Sequence, residues 1–364
     1  MSKIVDLKVV VVEIPLKTTW ETFLYSTTIR AHAIVQVTTE DGVKGYGEAS
    51  PAPAFMGESA YTMETVINRY LAPAVVGQSV FDIALINDRM DLTIDANTSA
   101  KAAVDIAVHD AAAKSLKVPV YVLLGGRKRE NLELAWSLGL KDFETSVQEA
   151  KDRMKQGFKV MKVKVGRDRV KDAALVKRLR EEFGKDVPIR MDANQGFAPV
   201  DALWLLDKVK EYEPECFEQP CRKWDLDGMA RVRRNPYGIP VMADESISSL
   251  HDVRNVIMAG CADLFNIKVG KVGGLYRACQ IAAFVEASGY KAGAGSNLEL
   301  GIGEAASAHF LTSQAALSLP SDALCGTELH SGNVVVSPLC MKDGILVCPD
   351  TPGLGVEVDP SIFA

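Results

Sequence analysis

The sequence predicts an α/β protein built on a parallel barrel of strand–helix units, preceded by an α+β unit. Two observations carry that expectation. From about residue 132 onward, short apolar strand-like runs alternate with helical patterns. Charged residues also close or directly follow five successive runs: Lys164, Asp192, Glu218, Asp244 and Lys268, at gaps of 28, 26, 26 and 24. A period of that length matches one strand, one helix and two loops. Charges at the same end of successive parallel strands converge on one mouth of a barrel, where barrel enzymes place their chemistry.

The first 125 residues read differently. Residues 8–14 and 31–38 are strand-like, joined by a polar and aromatic stretch over 18–30 that is expected to be mobile; Asp41-Gly42 marks a turn, and 43–48 returns as a third strand. Helical patterns follow at 61–71, 84–92 and 99–115; in the last, Ala103, Ile106, Ala107 and Ala111 fall at helical spacing with side chains small enough for close packing. Leu124-Gly125-Gly126 punctuates the end of this unit. The barrel is then expected over 126–335, with strands at 132–138, 160–165 and 187–192 and helices at 143–156, 173–183, 202–212, 229–234, 250–259, 275–287 and 303–313. The last stretch, 336–364, loses the repeat and is expected to return to the first domain.

Bulk properties exclude several classes. The 364 residues are 48% hydrophobic and 24% charged, an ordinary globular composition, and the formal net charge of −6 with no long basic stretch argues against a nucleic-acid partner. No apolar run approaches the roughly 20 residues that span a bilayer, and the Val9–Val12 run lacks the features of a signal peptide. Seven scattered cysteines without a Cys-x-x-Cys pair predict reduced, mostly buried thiols in a cytoplasmic protein. The five histidines show no zinc-ligand spacing, and no Gly-x-Gly-x-x-Gly opens a helix after the first strand.

The charged residues define a chemistry. Asp192, Glu218 and Asp244 would supply three carboxylates from neighbouring strands, an oxygen-only set that selects Mg²⁺ or Mn²⁺. Such an ion can hold a substrate carboxylate and absorb the charge that develops when an α-proton leaves. Lys162 and Lys164 lie two apart, so they share a strand face; their mutual repulsion and burial are expected to depress the pKa of one of them. Lys268 would address the opposite face of the same carbon.

These segments (Lys162-Val-Lys164, Met191-Asp192-Ala-Asn194, Phe217-Glu218-Gln-Pro220, Met242-Ala-Asp244-Glu245-Ser246 and Asn266-Ile-Lys268) resemble the enolase superfamily, and within it the muconate-lactonising subgroup. Gly45-Tyr-Gly-Glu48, Leu123-Leu-Gly-Gly126 and Pro352-Gly-Leu-Gly355 extend the resemblance along nearly the whole chain. It implies an α+β capping domain over a modified (β/α)7β TIM-type barrel, Mg²⁺ on Asp192, Glu218 and Asp244, and acid/base work by Lys164 and Lys268, with Lys162 beside them. That superfamily is itself a standard example of lysine bases working with Mg²⁺. Asn194 and Glu245 are expected to support the ligands, Glu245 by orienting a lysine, and Glu299 to pair with Lys268 or meet substrate. Similar proteins are commonly homo-oligomers.

Gly326-Thr-Glu-Leu329 and Leu298-Glu299-x-x-Ile302-Gly303 are similar to segments of muconate cycloisomerases. Dipeptide epimerases often carry an Asp-x-Asp near the last strand, where this chain reads Ser321-Asp322-Ala323-Leu324-Cys325, with Asp322 and Glu328 as nearby acids. The resemblance therefore favours a Mg²⁺-dependent cycloisomerase of a muconate-like dicarboxylate, with a dipeptide epimerase or N-acylamino acid racemase as the alternative. Dehydration of a sugar acid fits less well, because no histidine stands in an acid/base position. A non-catalytic binding barrel is the remaining rival. The 18–30 stretch and the 50–59 loop, with Phe55 and Met56, are expected to lie over the mouth.

Overall fold

A computed structural model describes residues 2–322 and 326–364. The chain opens with a three-stranded antiparallel meander, β1 (Ile4–Glu21), β2 (Ser26–Thr39) and β3 (Lys44–Ala49). The 18–30 stretch is not a loop: β1 and β2 run on through it as a hairpin, with Trp20 opposite Thr27 and Glu21 opposite Ser26 after a register shift beyond Pro15. Its turn is closed by Thr22 N–H donating to Tyr25 O at 2.9 Å. Polar and aromatic residues suit a ribbon that projects from the sheet with both faces partly wet, so hydrophobic alternation understates its length.

The three expected helices occur at Ala60–Val75 (with one wide turn over Ile67–Leu71), Ile83–Thr93 and Thr98–Leu116. Small residues decide how the last one packs. A Cβ on Gly47 would lie 2.7 Å from Ala107 N, and one on Gly45 2.7 Å from Ala111 Cβ, so β3 can approach this helix only as glycine against alanine.

The barrel follows. Its parallel sheet runs in sequence order through β5 (Ala135–Leu138), β6 (Val160–Lys164), β7 (Ile189–Asp192), β8 (Cys216–Glu218), β9 (Val241–Ala243), β10 (Leu264–Ile267) and β11 (Lys291–Ala294). Each connection carries a helix, and several start on a side-chain cap such as Asp142, Asp168 or Ser249. The eighth position is filled by an extended segment that bridges Ala292 through Leu317 and Leu134 through Ser321, closing the ring. The single strand expected over 132–138 is two: β4 (Asn131–Glu133) leaves the ring and pairs with β13 (Ile345–Val347), which also pairs with β12 (Met341–Lys342).

After β13 the chain bridges Gly353 to Pro119 and sets the Phe363 ring 6.0 Å from that of Tyr46. Buried carboxylates of the first unit reach across to the rest. Glu48 accepts from Leu300 N (2.6 Å) and Gly303 N (2.8 Å), Asp105 from Leu275 N (2.6 Å), and Asp110 from Leu354 N (2.8 Å). Two of these acids cap barrel helices, Gly301–Ser313 and Leu275–Ala287, from outside their own chain segment.

Candidate active site

The charged positions converge as the spacing predicts. Lys164, Asp192 and Glu218 are lateral neighbours at the carboxyl ends of β6, β7 and β8; Asp244 and Lys268 directly follow β9 and β10. All five side chains are buried, as are Lys162, Asn194, Glu245 and Glu299. The backbone beside them is strained. Asn194 (φ +42°), Gln219 (φ +35°) and Leu298 (φ +61°) hold left-handed conformations at strand exits, a cost concentrated where side chains must be aimed.

The acids and amines interlock. Lys164 Nζ lies 2.5 Å from Asp192 Oδ2 and Lys268 Nζ 2.7 Å from Asp244 Oδ2. Lys162 Nζ sits among Asp322 (2.5 Å), Glu218 (3.1 Å) and Asp192 (3.5 Å). Lys271, which sequence reading missed, places its ammonium 2.7 Å from Asp244 Oδ1. Its spacing of three from Lys268 gave no strand-face signal. Asn266 donates to Glu218 Oε1 at 2.7 Å; it stands two before Lys268, so period-two alternation offered a clue to its shared face. Gln219 ties the next strand in, its Oε1 accepting from Asp244 N (3.0 Å) and Ser246 N (3.1 Å).

The partners of the supporting side chains narrow three expectations. Burial works against the charge on Lys162, but Asp322, Glu218 and Asp192 outweigh it and hold its pKa well above the lysine range, so Lys162 is not a depressed amine of the pair. Glu245 accepts from Asn194 Nδ2 (2.9 Å) and adds negative charge beside Lys268, with no lysine at ion-pair distance among the described residues. Glu299 accepts from Ser296 Oγ (2.5 Å) and Asn297 N (2.9 Å), and among the described residues it makes no ion pair with Lys268. The Ala323–Cys325 part of the last-strand motif lies outside the described residues.

The electrostatics are uneven. Burial opposes ionisation of Asp192 and Asp244, but adjacent lysines hold both below the usual carboxylate range. Glu218 is pushed up to about 8 by burial and by the Asp192 carboxylate, and Glu245 to about 7 by burial and Asp244. Burial is likewise outweighed at Lys268, whose pKa Asp244 raises. Each carboxylate of the trio is turned to an ammonium, and among the described residues no three acidic, histidine or cysteine side chains converge as a ready-made ion cage. The donor chemistry still suits a hard divalent cation. Three buried carboxylates close enough to shift one another stand together, and among the described residues Asp244 Oδ2 and Glu245 Oε2 lack a hydrogen-bond partner. Asp244 Oδ2 meets Lys268 at ion-pair distance without hydrogen-bond geometry.

A cavity of about 680 Å³ opens onto Lys164, walled by Leu140, Lys141, Phe143, Arg167 and Leu175 and by Glu21 of the hairpin. The hairpin and the 50–59 loop both reach the barrel: Leu140 N donates to Glu21 O at 2.8 Å, Lys223 Nζ to Phe55 O at 2.9 Å, and Lys268 Nζ lies 5.6 Å from the Phe55 ring centre.

Known proteins share this arrangement of domains and sequence. Residues 4–125 match the model of the mandelate racemase / muconate lactonizing enzyme N-terminal domain, and residues 145–362 that of the enolase C-terminal domain-like family. Muconate cycloisomerase 1 of Rhodococcus opacus is 34% identical over 361 residues, 98% of this chain and 96% of that protein. The crystal structure of a Pseudomonas fluorescens muconate lactonizing enzyme with muconolactone superposes at a TM-score of 0.95 and 30% identity, covering 100% of this chain and 98% of the other. A dipeptide epimerase from Enterococcus faecalis, complexed with Mg and the dipeptide L-Leu-L-Tyr, superposes at 0.92 and 32% identity, covering 98% and 99%.

Proposed function

The chain belongs to the mandelate racemase / muconate lactonizing enzyme family of the enolase superfamily, and from that premise we propose an isomerase that moves a proton α to a substrate carboxylate. The lead reaction is cycloisomerisation of a muconate-like dicarboxylate. One observation carries this reading: a buried row of acids, Asp192, Glu218 and Asp244, with Lys164 held against its first member and Lys268 against its last. β6 and β10 stand four places apart in the ring, so the two amines approach the row from opposite ends.

Asp192, Glu218 and Asp244 would hold Mg²⁺, with Mn²⁺ as a possible substitute, and the Mg in the epimerase structure supports that assignment. When bound, the cation supplies positive charge that stabilises a substrate carboxylate as charge moves onto it. The chain's own residues do the rest. Lys164 Nζ exchanges the α-proton, Lys268 Nζ stands as the counter-facing cation or acid, and Lys162 keeps the base of the site charged. Phe55 and the hairpin exclude water from the mouth. Asn266 and Gln219 hold the acids in register. Six described cysteines are unpaired, which supports a reducing, cytoplasmic setting; a homo-oligomer is proposed with it.

A second reading, epimerisation of a dipeptide or racemisation of an N-acylated amino acid, is favoured by Asp322. This buried carboxylate precedes the last helix of the ring, where it could meet a substrate ammonium. Turnover in deuterated water tests the two. A cycloisomerase leaves one deuterium in a lactone. An epimerase washes it into recovered substrate and stereoisomer. Absence of any exchange or lactone across muconates, dipeptides and N-succinyl amino acids would count against both.

A further inference from the structure

Arg30, near the start of β2, is buried at 5% exposure, yet its charge has no counter-ion. Nη2 donates to Ser50 Oγ (2.8 Å), Pro51 O (2.9 Å) and Asn297 O (2.7 Å), and Nη1 makes a long bond to Tyr25 OH (3.4 Å). Every one of these acceptors is uncharged, and among the described residues Nε has no hydrogen-bond partner. Among the described residues no carboxylate lies at ion-pair distance from this guanidinium. A buried cation in that state is expensive unless an anion completes it. The lysines of the barrel mouth show the contrast, since each buried ammonium there faces an acid.

Arg30 also lines a cavity of about 390 Å³, walled by Tyr25, Ile29, Pro51, Ala54 and Tyr61. That volume lies within the range of small-ligand sites, and the wall is mainly apolar with one strong donor, the composition such sites favour. Every lining residue falls between 25 and 61, so the cavity is built wholly by the first unit and contains none of the charged residues of the barrel mouth. We propose that this cavity is a second binding site, for a small monocarboxylate with an aromatic or branched apolar body, with Arg30 as its anion anchor. The carboxylate would accept from the guanidinium and replace the long Tyr25 contact, while the apolar body covers Pro51, Ala54 and Ile29. Nη2 is already engaged, so the anion would be held by Nη1 through one charge-assisted bond.

Benzoate serves as the probe and benzamide as its uncharged control, titrated by calorimetry into the full chain. Benzoate should bind and benzamide should bind at least 10-fold more weakly. Lys268→Ala should leave benzoate affinity unchanged. Arg30→Gln should weaken it at least 10-fold; because Arg30 also holds Ser50 and Asn297, Ala54→Phe provides an independent variant that fills the cavity and keeps the guanidinium, and it too should weaken binding. Benzoate that binds without competing with the turnover substrate supports a second site, and benzoate that competes with it places the acid in the active site and overturns the proposal. The proposal is overturned if benzoate does not bind, if benzamide binds equally, or if Lys268→Ala abolishes binding while Ala54→Phe leaves it intact.

Discussion

Lys164 and Lys268 differ in chemistry from the two other buried lysines around them, although all four meet carboxylates. Lys162 touches three acids, and Lys271 holds both the carboxylate and the backbone carbonyl of Asp244. Lys164 borders the open cavity and Lys268 the Phe55 ring. Replacing either Lys164 or Lys268 by alanine should lower kcat by about 10²–10⁴-fold, the range of a lost acid or base, while Mg²⁺ binding measured by calorimetry persists. Lys162→Met should act differently. It leaves Glu218 and Asp322 buried without their shared cation, a loss of about 3–5 kcal/mol in urea denaturation. At this scale the sequence was most readable where one residue type recurs at strand ends. It was blind to Lys271 and Gln219, whose roles arise from contacts between neighbouring strand exits. It left open which of Lys162 and Lys164 is depressed, because the fold brings Asp322, from 160 residues away, against the Lys162 amine.

Elements carry the site by their ends, and caps hold those ends in place. Asp105, on the helix Thr98–Leu116, accepts from Leu275 N (2.6 Å) and Tyr276 N (3.3 Å) and is braced by Asn87 Nδ2 (2.8 Å). It satisfies the N-terminus of a barrel helix that its own segment does not supply at Gly274. Asp105→Ala should therefore destabilise the protein by about 2–4 kcal/mol, combining a lost cap with orphaned buried donors; thermal unfolding measures it. The strand ends respond to metal in the opposite sense. Chelation by EDTA should abolish turnover, and Mg²⁺ at 100 times its Kd should stabilise the fold by about 2.7 kcal/mol, with no such gain in Asp244→Asn. Helices were legible because small and apolar residues recur at the helical period, as with Ala103, Ile106, Ala107 and Ala111 in 99–115. Strand lengths were not, since the hairpin beyond Pro15 lacks apolar alternation and β4 separates from β5 at a single residue, Leu134.

Across the whole molecule, His309 joins three parts of the chain that are distant in sequence. Its helix Gly301–Ser313 belongs to the barrel; its Nδ1 accepts from Tyr121 N–H (3.2 Å), and its Nε2 lies 3.1 Å from Leu354 O. A carbonyl can only accept, so Nε2 carries the proton and Nδ1 must stay bare to serve Tyr121. Burial holds the His309 pKa down to about 4. A base depressed in the folded state stabilises fully above its unfolded pKa, near 6.5, and that stability is lost as pH falls toward 4. The loss is on the order of 3 kcal/mol at about 1.4 kcal/mol per pH unit. Glu48, pushed to about 7, and Glu304, pushed to about 8, work the other way, their contribution being present at low pH and lost as pH rises through those values. The comparison must therefore be between variants. Nothing in the five scattered histidines marked this one, because its partners come from both ends of the chain and meet only once the ring has closed. Urea denaturation at pH 7 and pH 4.5 should show the wild type losing more stability on acidification than His309→Gln, which keeps one donor and one acceptor but cannot take up a proton. Equal losses in the two proteins would mean that the imidazole is already free to protonate, and that the contact between Tyr121 and the Leu354 segment is held by other groups.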